Sequence, residues 1–152
     1  MGVQTNTIER VRTERFAHDG AEVVLSKIRT PNGMRLEIVY PESGDAIRLD
    51  ALELESLSWQ EPGTIRSLAG SDPTATEGLP AVSDREELFE VTNEFSQVTL
   101  YRVETDEYTG LEIESPKLGY VNRFGPAELV WIAEQTVETF SDFLETPYGP
   151  TH

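Results

Sequence analysis

The amino-acid sequence predicts an α+β fold built from two tandem ββββα units, each an antiparallel sheet followed by one helix. The first observation is an internal match. At an offset of 75 residues, segment 23–60 aligns with segment 98–135 without a gap, and 12 of 38 positions are identical. In addition, both segments alternate apolar and polar residues between turn signals, and both then enter a helical pattern. Together these features indicate a duplicated unit.

The first unit spans residues 9–60. Asp19-Gly20 and Asn32-Gly33 are residue pairs typical of tight hairpin turns, and they separate stretches of alternating hydrophobicity. Asp50 is a suitable N-cap for the helix that follows. The predicted strands cover 11–16, 22–29, 35–40 and 46–49, and the predicted helix covers 51–60.

The second unit spans residues 84–147 and repeats this order. Its predicted strands cover 88–92, 97–105, 110–115 and 120–124. Gly125 and Pro126 open its helix, since proline suits the first helical position. Apolar residues then recur at helical spacing and predict a helix as far as about Glu145; they are Leu129, Ile132, Ala133, Val137, Phe140, Phe143 and Leu144.

Residues 61–83 are rich in proline, glycine, serine and threonine, and they predict a linker between the units. The first helix is short and apolar on two sides, with Leu54 and Leu57 on one and Leu52 and Trp59 nearly opposite. A single ββββα unit could not bury both sides. We therefore expect the units to pack against each other as a monomeric, intramolecular pseudo-dimer.

The charge of the chain is strongly negative. Asp and Glu number 28 against 12 Lys and Arg, of which only Lys27 and Lys117 are lysines, so the net charge is -16. Abundant Glu with scarce Lys favours adaptation to high salt, because molar salt screens the repulsion among surface carboxylates. On this interpretation the charge reflects a halophilic setting. The absence of cysteine, signal peptide and long apolar run predicts a cytoplasmic protein.

The sequence lacks the patterns of known catalytic sites. His18 and His152 are the only histidines, and no nucleophile elbow accompanies them. His18, Asp19 and Glu22 could approach one another across a hairpin, but their number and spacing match no zinc or calcium site. We expect no catalytic residue, no metal and no cofactor.

Two features remain as functional candidates. Lys27/Arg102 and Arg48/Arg123 keep a positive charge at matching positions of the two copies, although basic residues are scarce. They could bind an anionic partner or form ion pairs with nearby glutamates. Trp131 falls outside the apolar stripe of its helix, so it must contact the other unit, the linker or another protein.

The ββββα order and the segment GDAIRLDALELESL resemble the positive cofactor 4 family of transcriptional coactivators. Whirly and Pur-alpha-like proteins have a similar topology, and Pur-alpha pairs tandem repeats within one chain. The resemblance implies helix-mediated pairing and single-stranded DNA or RNA binding on the sheets. The residues that it nominates are Lys27, Arg29, Arg35, Arg48, Tyr101, Arg102 and Arg123.

Our first functional hypothesis is therefore a non-enzymatic, transcription coactivator-like protein that binds single-stranded nucleic acid. Two departures from the resemblance count against it. Lysine is scarce, and Glu37 and Glu112 add acid to the third strand of each unit. The alternative is a protein-interaction or structural module with the same fold, which the acidic surface and Trp131 would favour. A third hypothesis is an enzyme that uses a cleft between the repeats.

Overall fold

The computed structural model describes residues 8–18, 20–60, 65, 81–94, 96–106, 108–136 and 138–140. It contains two four-stranded antiparallel sheets in which consecutive strands are neighbours, and each sheet is followed by a helix. The first unit comprises β1 (Glu9–His18), β2 (Ala21–Thr30), β3 (Gly33–Tyr40), β4 (Asp45–Leu49) and α1 (Ala51–Ser58). The second comprises β5 (Val82–Thr92), β6 (Gln97–Thr105), β7 (Thr109–Ser115), β8 (Tyr120–Phe124) and α2 (Pro126–Ala133). The predicted α+β class with two ββββα units is confirmed.

Equivalent turns connect the last two strands of each sheet. Gly44 and Gly119 have φ angles of +83° and +77°, a region in which a residue with a side chain is strained. The Gly44 N–H donates to the Tyr40 carbonyl at 2.9 Å, and the Gly119 N–H donates to the Ser115 carbonyl at 2.8 Å. The two copies therefore share a turn as well as a strand order.

The two helices begin at equivalent positions and differ in the N-cap residue, although the Glu128 carboxylate accepts from the Gly125 N–H at 3.0 Å as Glu53 does from Asp50. Asp50 accepts from the Glu53 N–H at 2.8 Å, and the Glu53 carboxylate accepts from the Asp50 N–H at 2.9 Å, which makes a capping box. At the start of α2, Gly125 takes the place of that aspartate. A Cβ there would meet the ring of Tyr108 at 2.7 Å, so the close ring requires glycine.

Two of the predicted boundaries are wrong. The second helix ends at Ala133 and does not continue to about Glu145; just beyond it, the side-chain amide of Gln135 donates to the Trp131 carbonyl at 3.0 Å. Phe140 is buried in a separate helical turn, and 141–145 lie outside the described residues. The first strand of the second unit, predicted over 88–92, begins at Val82, so strand structure already starts within the last residues of the predicted linker, 61–83. Most of that linker lies outside the described residues.

Alternating side chains give each sheet an inner face, which joins the hydrophobic core, and an outer face opposite it. The core contains apolar residues of both units in one cluster. Helix α1 contacts β6, β7 and β8 of the second sheet, whereas α2 contacts all four strands of the first. Each helix thus packs against the sheet of the other unit. No helix among the described residues is long and apolar enough to span a membrane.

Candidate functional site

A buried glutamate lies at the centre of the outer face of the first sheet. Glu37 on β3 is only 4% exposed, and arginines from β1 and β4 hold its carboxylate. Arg10 Nη2 lies 2.6 Å from Oε1, and Arg48 Nε lies 3.0 Å from Oε2. Because Arg48 sits directly opposite Glu37 in the β3–β4 register, strand pairing itself brings this ion pair together. Arg48 therefore forms a local ion pair, as one of the two sequence interpretations expected.

The second sheet repeats this arrangement. Glu112 on β7 is 1% exposed; Arg85 Nε lies 2.7 Å from its Oε2 and Arg123 Nε lies 2.8 Å from its Oε1. We call each set an Arg-Glu-Arg clamp: Arg10, Glu37 and Arg48 in the first sheet, Arg85, Glu112 and Arg123 in the second. Arg10 and Arg85 match at the same offset of 75 residues but precede the aligned segment. Extending that alignment toward the N-terminus was the signal that could have revealed the clamps.

Tyr101 lies on the outer face of the second sheet and is enclosed by its neighbours. The guanidinium of Arg85 lies 3.6 Å above the ring centroid, and the Tyr101 hydroxyl donates to Glu114 at 3.1 Å. Burial raises the pKa of Tyr101 above its usual value, and the hydrogen bond to Glu114 raises it further. One face of the ring is covered by arginine, which leaves less of it for stacking on a nucleic-acid base.

Lys27 and Arg102 lie on the opposite side of their sheets from the clamps. They pair with Leu36 and Leu111, whose side chains belong to the core. Arg102 joins the two units, since it donates to Glu14 at 2.9 Å and to the Arg15 carbonyl at 3.0 Å. Arg102 therefore has a contact role inside the protein, and the two matched basic pairs do not share one surface.

The ion pair of Arg102 with Glu14 alters the titration of that carboxyl. Burial works to raise the pKa of Glu14, but hydrogen bonds and charges from Arg102 and Arg12 outweigh it. The pKa of Glu14 is therefore lowered from its usual value. Arg12 also donates to the Leu88 carbonyl, so two arginine contacts connect β1 with the second unit.

The three remaining candidates, Arg29, Arg35 and Trp131, lie apart from one another. Arg29 is exposed and forms an ion pair with Glu9 at 3.2 Å, on the same side of the sheet as Lys27. Arg35 lies on the outer face of the first sheet with Glu37. Trp131 is half-buried and packs against the hydrophobic core, which accounts for its position outside the helix stripe.

The outer faces of the two sheets have opposite net charge. In the described residues, strand alternation and register assign four arginines and two glutamates to the outer face of the first sheet, a net of two positive charges: Arg10, Arg15, Arg35, Arg48, Glu22 and Glu37. The same criteria assign two arginines and four glutamates to the second, a net of two negative charges: Arg85, Arg123, Glu87, Glu90, Glu112 and Glu114. We call these the basic face and the acidic face.

The basic face also offers apolar surface. Val24, Val39 and Ala46 form a row across three of its strands. The two valines are half-buried and the alanine is exposed. Beside this row, a groove of about 450 Å³ is lined by Glu37, Ala46, Ile47, Arg48, Gln135 and Thr136. No aromatic side chain lies on the described strands of this face.

Comparison with known proteins does not assign the chain to a family. No family model matches the chain, and no curated protein is significantly similar to it. Within the described residues, no group of three or more histidine, aspartate or glutamate side chains is placed to hold a metal ion. The function of the site must therefore be inferred from the residues on the outer faces of the two sheets.

Proposed function

We propose that the protein is a non-enzymatic interaction module that uses the basic face to bind an acidic, partly apolar segment of another protein. The observation that carries the proposal is the net of two positive charges on that face in a chain whose net charge is -16. Arginine beside apolar residues is a common composition of protein interfaces. The row of Val24, Val39 and Ala46 would supply the apolar contact.

The proposal includes an intramolecular pairing of the two units. Supporting it are the contacts of α1 with the second sheet and of α2 with the first, and the arginine contacts from β1 to the second unit. In this arrangement, the folded unit that presents the basic face is a single chain. The two outer faces would then be held by one common core.

The matched arginines support this choice over nucleic-acid binding. Arg48 and Arg123 neutralise buried glutamates, and Arg102 joins the two units, so their retention in both copies has structural reasons. Base stacking contributes about 1–3 kcal/mol per base in single-strand binding. The basic face has no aromatic side chain on its described strands to supply that contribution.

Single-stranded nucleic acid is the second candidate, because the positive charge of the basic face would also attract phosphates. A net of two charges would give a logarithmic salt slope of only about -1.4 for a single strand. Such binding would weaken steadily with salt. An interface with apolar contacts would lose less affinity over the same range.

Fluorescence anisotropy can test the proposal with two labelled probes, a peptide of alternating Glu and Val residues and a single-stranded oligonucleotide. Arg15→Glu with Arg35→Glu reverses charge on the basic face without touching its clamp. Arg29→Glu with Lys117→Glu is the matched control, because both residues are exposed and lie elsewhere. Titrations would run from about 0.1 M to about 1 M KCl.

We expect the peptide to bind the wild type and the control, and to bind the basic-face variant at least about tenfold more weakly, a loss of about 1.4 kcal/mol. Equal weakening in both variants, or no peptide binding at all, would contradict the proposal. Tighter binding of the oligonucleotide than of the peptide, with steady loss as salt rises, would establish the second candidate in its place.

A further inference from the structure

We infer that the basic face binds the acidic face of a second copy of this chain. The inference rests on the proposed function, because it names the partner of the same surface. A second copy is a partner of known chemistry: its acidic face carries a net of two negative charges where the basic face carries two positive ones. The two faces are therefore complementary in net charge.

The charge difference arises at equivalent positions of one common strand order. Arg15 on β1 corresponds to Glu90 on β5, at the offset of 75 residues that relates the two copies. Val39 likewise corresponds to Glu114 on β7. Because both sheets have the same strand order and antiparallel pairing, opposite charges lie on matching strands of the two sheets.

The charged groups are accessible for such a contact. The side chains of Arg15 and Arg10 are 61% and 53% exposed, and that of Arg48 is 46% exposed although its Nε binds Glu37. On the acidic face, Glu87 is exposed and Glu114 is 36% exposed. An arginine has five N–H donors, so an arginine of a clamp can donate to a second carboxylate.

The geometry of this contact is head to tail. A basic face bound to an acidic face leaves one unused face of each kind at the two ends, so association is heterologous and can continue to a third copy. We therefore expect reversible, concentration-dependent assemblies rather than one closed dimer. The folded single chain remains the unit that associates.

Salt should strengthen this association over the range in which it weakens nucleic-acid binding. Two copies, each with a net charge of -16, repel each other over distances that salt shortens from about 10 Å at 0.1 M to about 3 Å at 1 M. Direct arginine–carboxylate contacts form at about the latter distance and are screened less. Raising the KCl concentration therefore removes more repulsion than attraction.

Sedimentation velocity over a series of protein concentrations, at about 0.1 M and about 1 M KCl, tests the inference. One variant carries Arg15→Glu and Arg35→Glu, which makes the basic face acidic. The other carries Glu87→Arg and Glu90→Arg, which makes the acidic face basic. Arg29→Glu with Lys117→Glu is again the control, and circular dichroism confirms that each variant is folded.

We expect the wild type and the control to associate more strongly at the higher salt. Each reversed variant alone should associate at least about tenfold more weakly, since its two outer faces carry the same sign. An equimolar mixture of the two reversed variants should recover association to within about threefold of the wild type, because opposite faces are available again.

A wild type that stays monomeric at every concentration and salt, or a mixture that fails to recover, would overturn the inference. So would association that neither variant changes. The acidic peptide separates the two proposals. If peptide binding depends on Arg15 and Arg35 but the wild type is monomeric, the proposed function stands and the inference fails. If the peptide does not bind and the wild type is monomeric, both proposals fail.

Discussion

The outer faces of the two sheets have the same strand order and the same Arg-Glu-Arg clamp, yet their net charges are opposite. In the first sheet the clamp lies among further arginines, Arg15 and Arg35. In the second it lies among further glutamates, Glu87, Glu90 and Glu114. The shared part is the one that neutralises a buried carboxylate, and the divergent part is the exposed surface around it. The internal ion pairs are therefore common to both copies, whereas the surface charge differs between them.

The inner faces differ as well. Helix α2 brings apolar residues such as Leu129 and Ile132 to the first sheet, and both are fully buried. The contact of α1 with the second sheet contains buried polar groups: Ser58 hydrogen-bonds Ser115, and Asn122 donates to the Leu57 carbonyl at 3.0 Å. Polar contacts of this kind specify a partner surface but contribute less net stability than apolar burial.

We expect the largest effect on stability from substitutions in the clamps. We expect Glu112→Gln to lower the free energy of unfolding by about 2–3 kcal/mol and Glu37→Gln by about 1–2 kcal/mol. Glu112 is the more deeply buried of the two, and its arginines, 42% and 19% exposed, reach water less than those of Glu37, which are 53% and 46% exposed. Urea unfolding at constant KCl would measure both changes.

The exposed Glu86 on β5 provides the control for this comparison, as Glu86→Gln. A loss at Glu37 and Glu112 no greater than at the control would show that the clamps contribute no stability. A larger loss at Glu37 than at Glu112 would reverse the ranking that burial predicts.

The next largest effect on stability is expected from the comparison of the equivalent residues Lys27 and Arg102. Arg102→Met should cost about 1–2 kcal/mol, because it removes charge-assisted hydrogen bonds to Glu14 and the Arg15 carbonyl and a contact with the Phe16 ring. Lys27→Met should stay within about 0.5 kcal/mol of the wild type. Methionine keeps the apolar stem in both cases. Equal thermal destabilisation of the two variants would contradict the role of Arg102 in joining the units.

The smallest effect concerns Glu55 on α1, whose carboxylate accepts from Ser96 at 3.2 Å. Burial raises the pKa of Glu55, although the hydrogen bond from Ser96 partly opposes it. Because folding raises this pKa, protonation of Glu55 stabilises the folded state. This stabilisation is complete below the usual glutamate pKa of about 4.3 and declines as pH rises through the raised pKa.

Glu55→Gln removes this titration, so we expect the variant to gain stability relative to the wild type at neutral pH, by less than about 1 kcal/mol. Thermal unfolding between about pH 4 and about pH 7 would reveal the difference. The gain should shrink toward the acidic end of the range. An identical dependence of stability on pH in the two proteins would rule out this contribution of Glu55.

Much of the fold could be predicted from local patterns. Alternating hydrophobicity located all eight strands, the turn glycines Gly44 and Gly119 separated the last two strands of each sheet, and Asp50 marked the start of α1. These features depend on residues close in sequence, where period and turn chemistry are sufficient. The end of α2 could not be found in the same way, because the apolar spacing continues beyond Ala133 although the backbone leaves the helix there.

Less of the candidate site could be predicted, although one signal was present. Lys27 alternates in phase with Leu25, whereas Arg48 is out of phase with Ile47 and Leu49. This difference in phase already implied that the two matched basic pairs lie on opposite faces of their sheets. The net charges of the outer faces follow from the same phase once each strand is assigned to its sheet.

The sequence by itself determined the duplicated ββββα order, the positions of the turns and the acidic composition. Only the tertiary structure decided which arginines are bound to glutamates, because Arg10 and Glu37 lie 27 residues apart in the chain and meet through the pairing of three strands. It also decided that each helix contacts the sheet of the other unit. Periodicity indicates that a helix has an apolar side, but the surface that covers this side is selected by packing between distant segments.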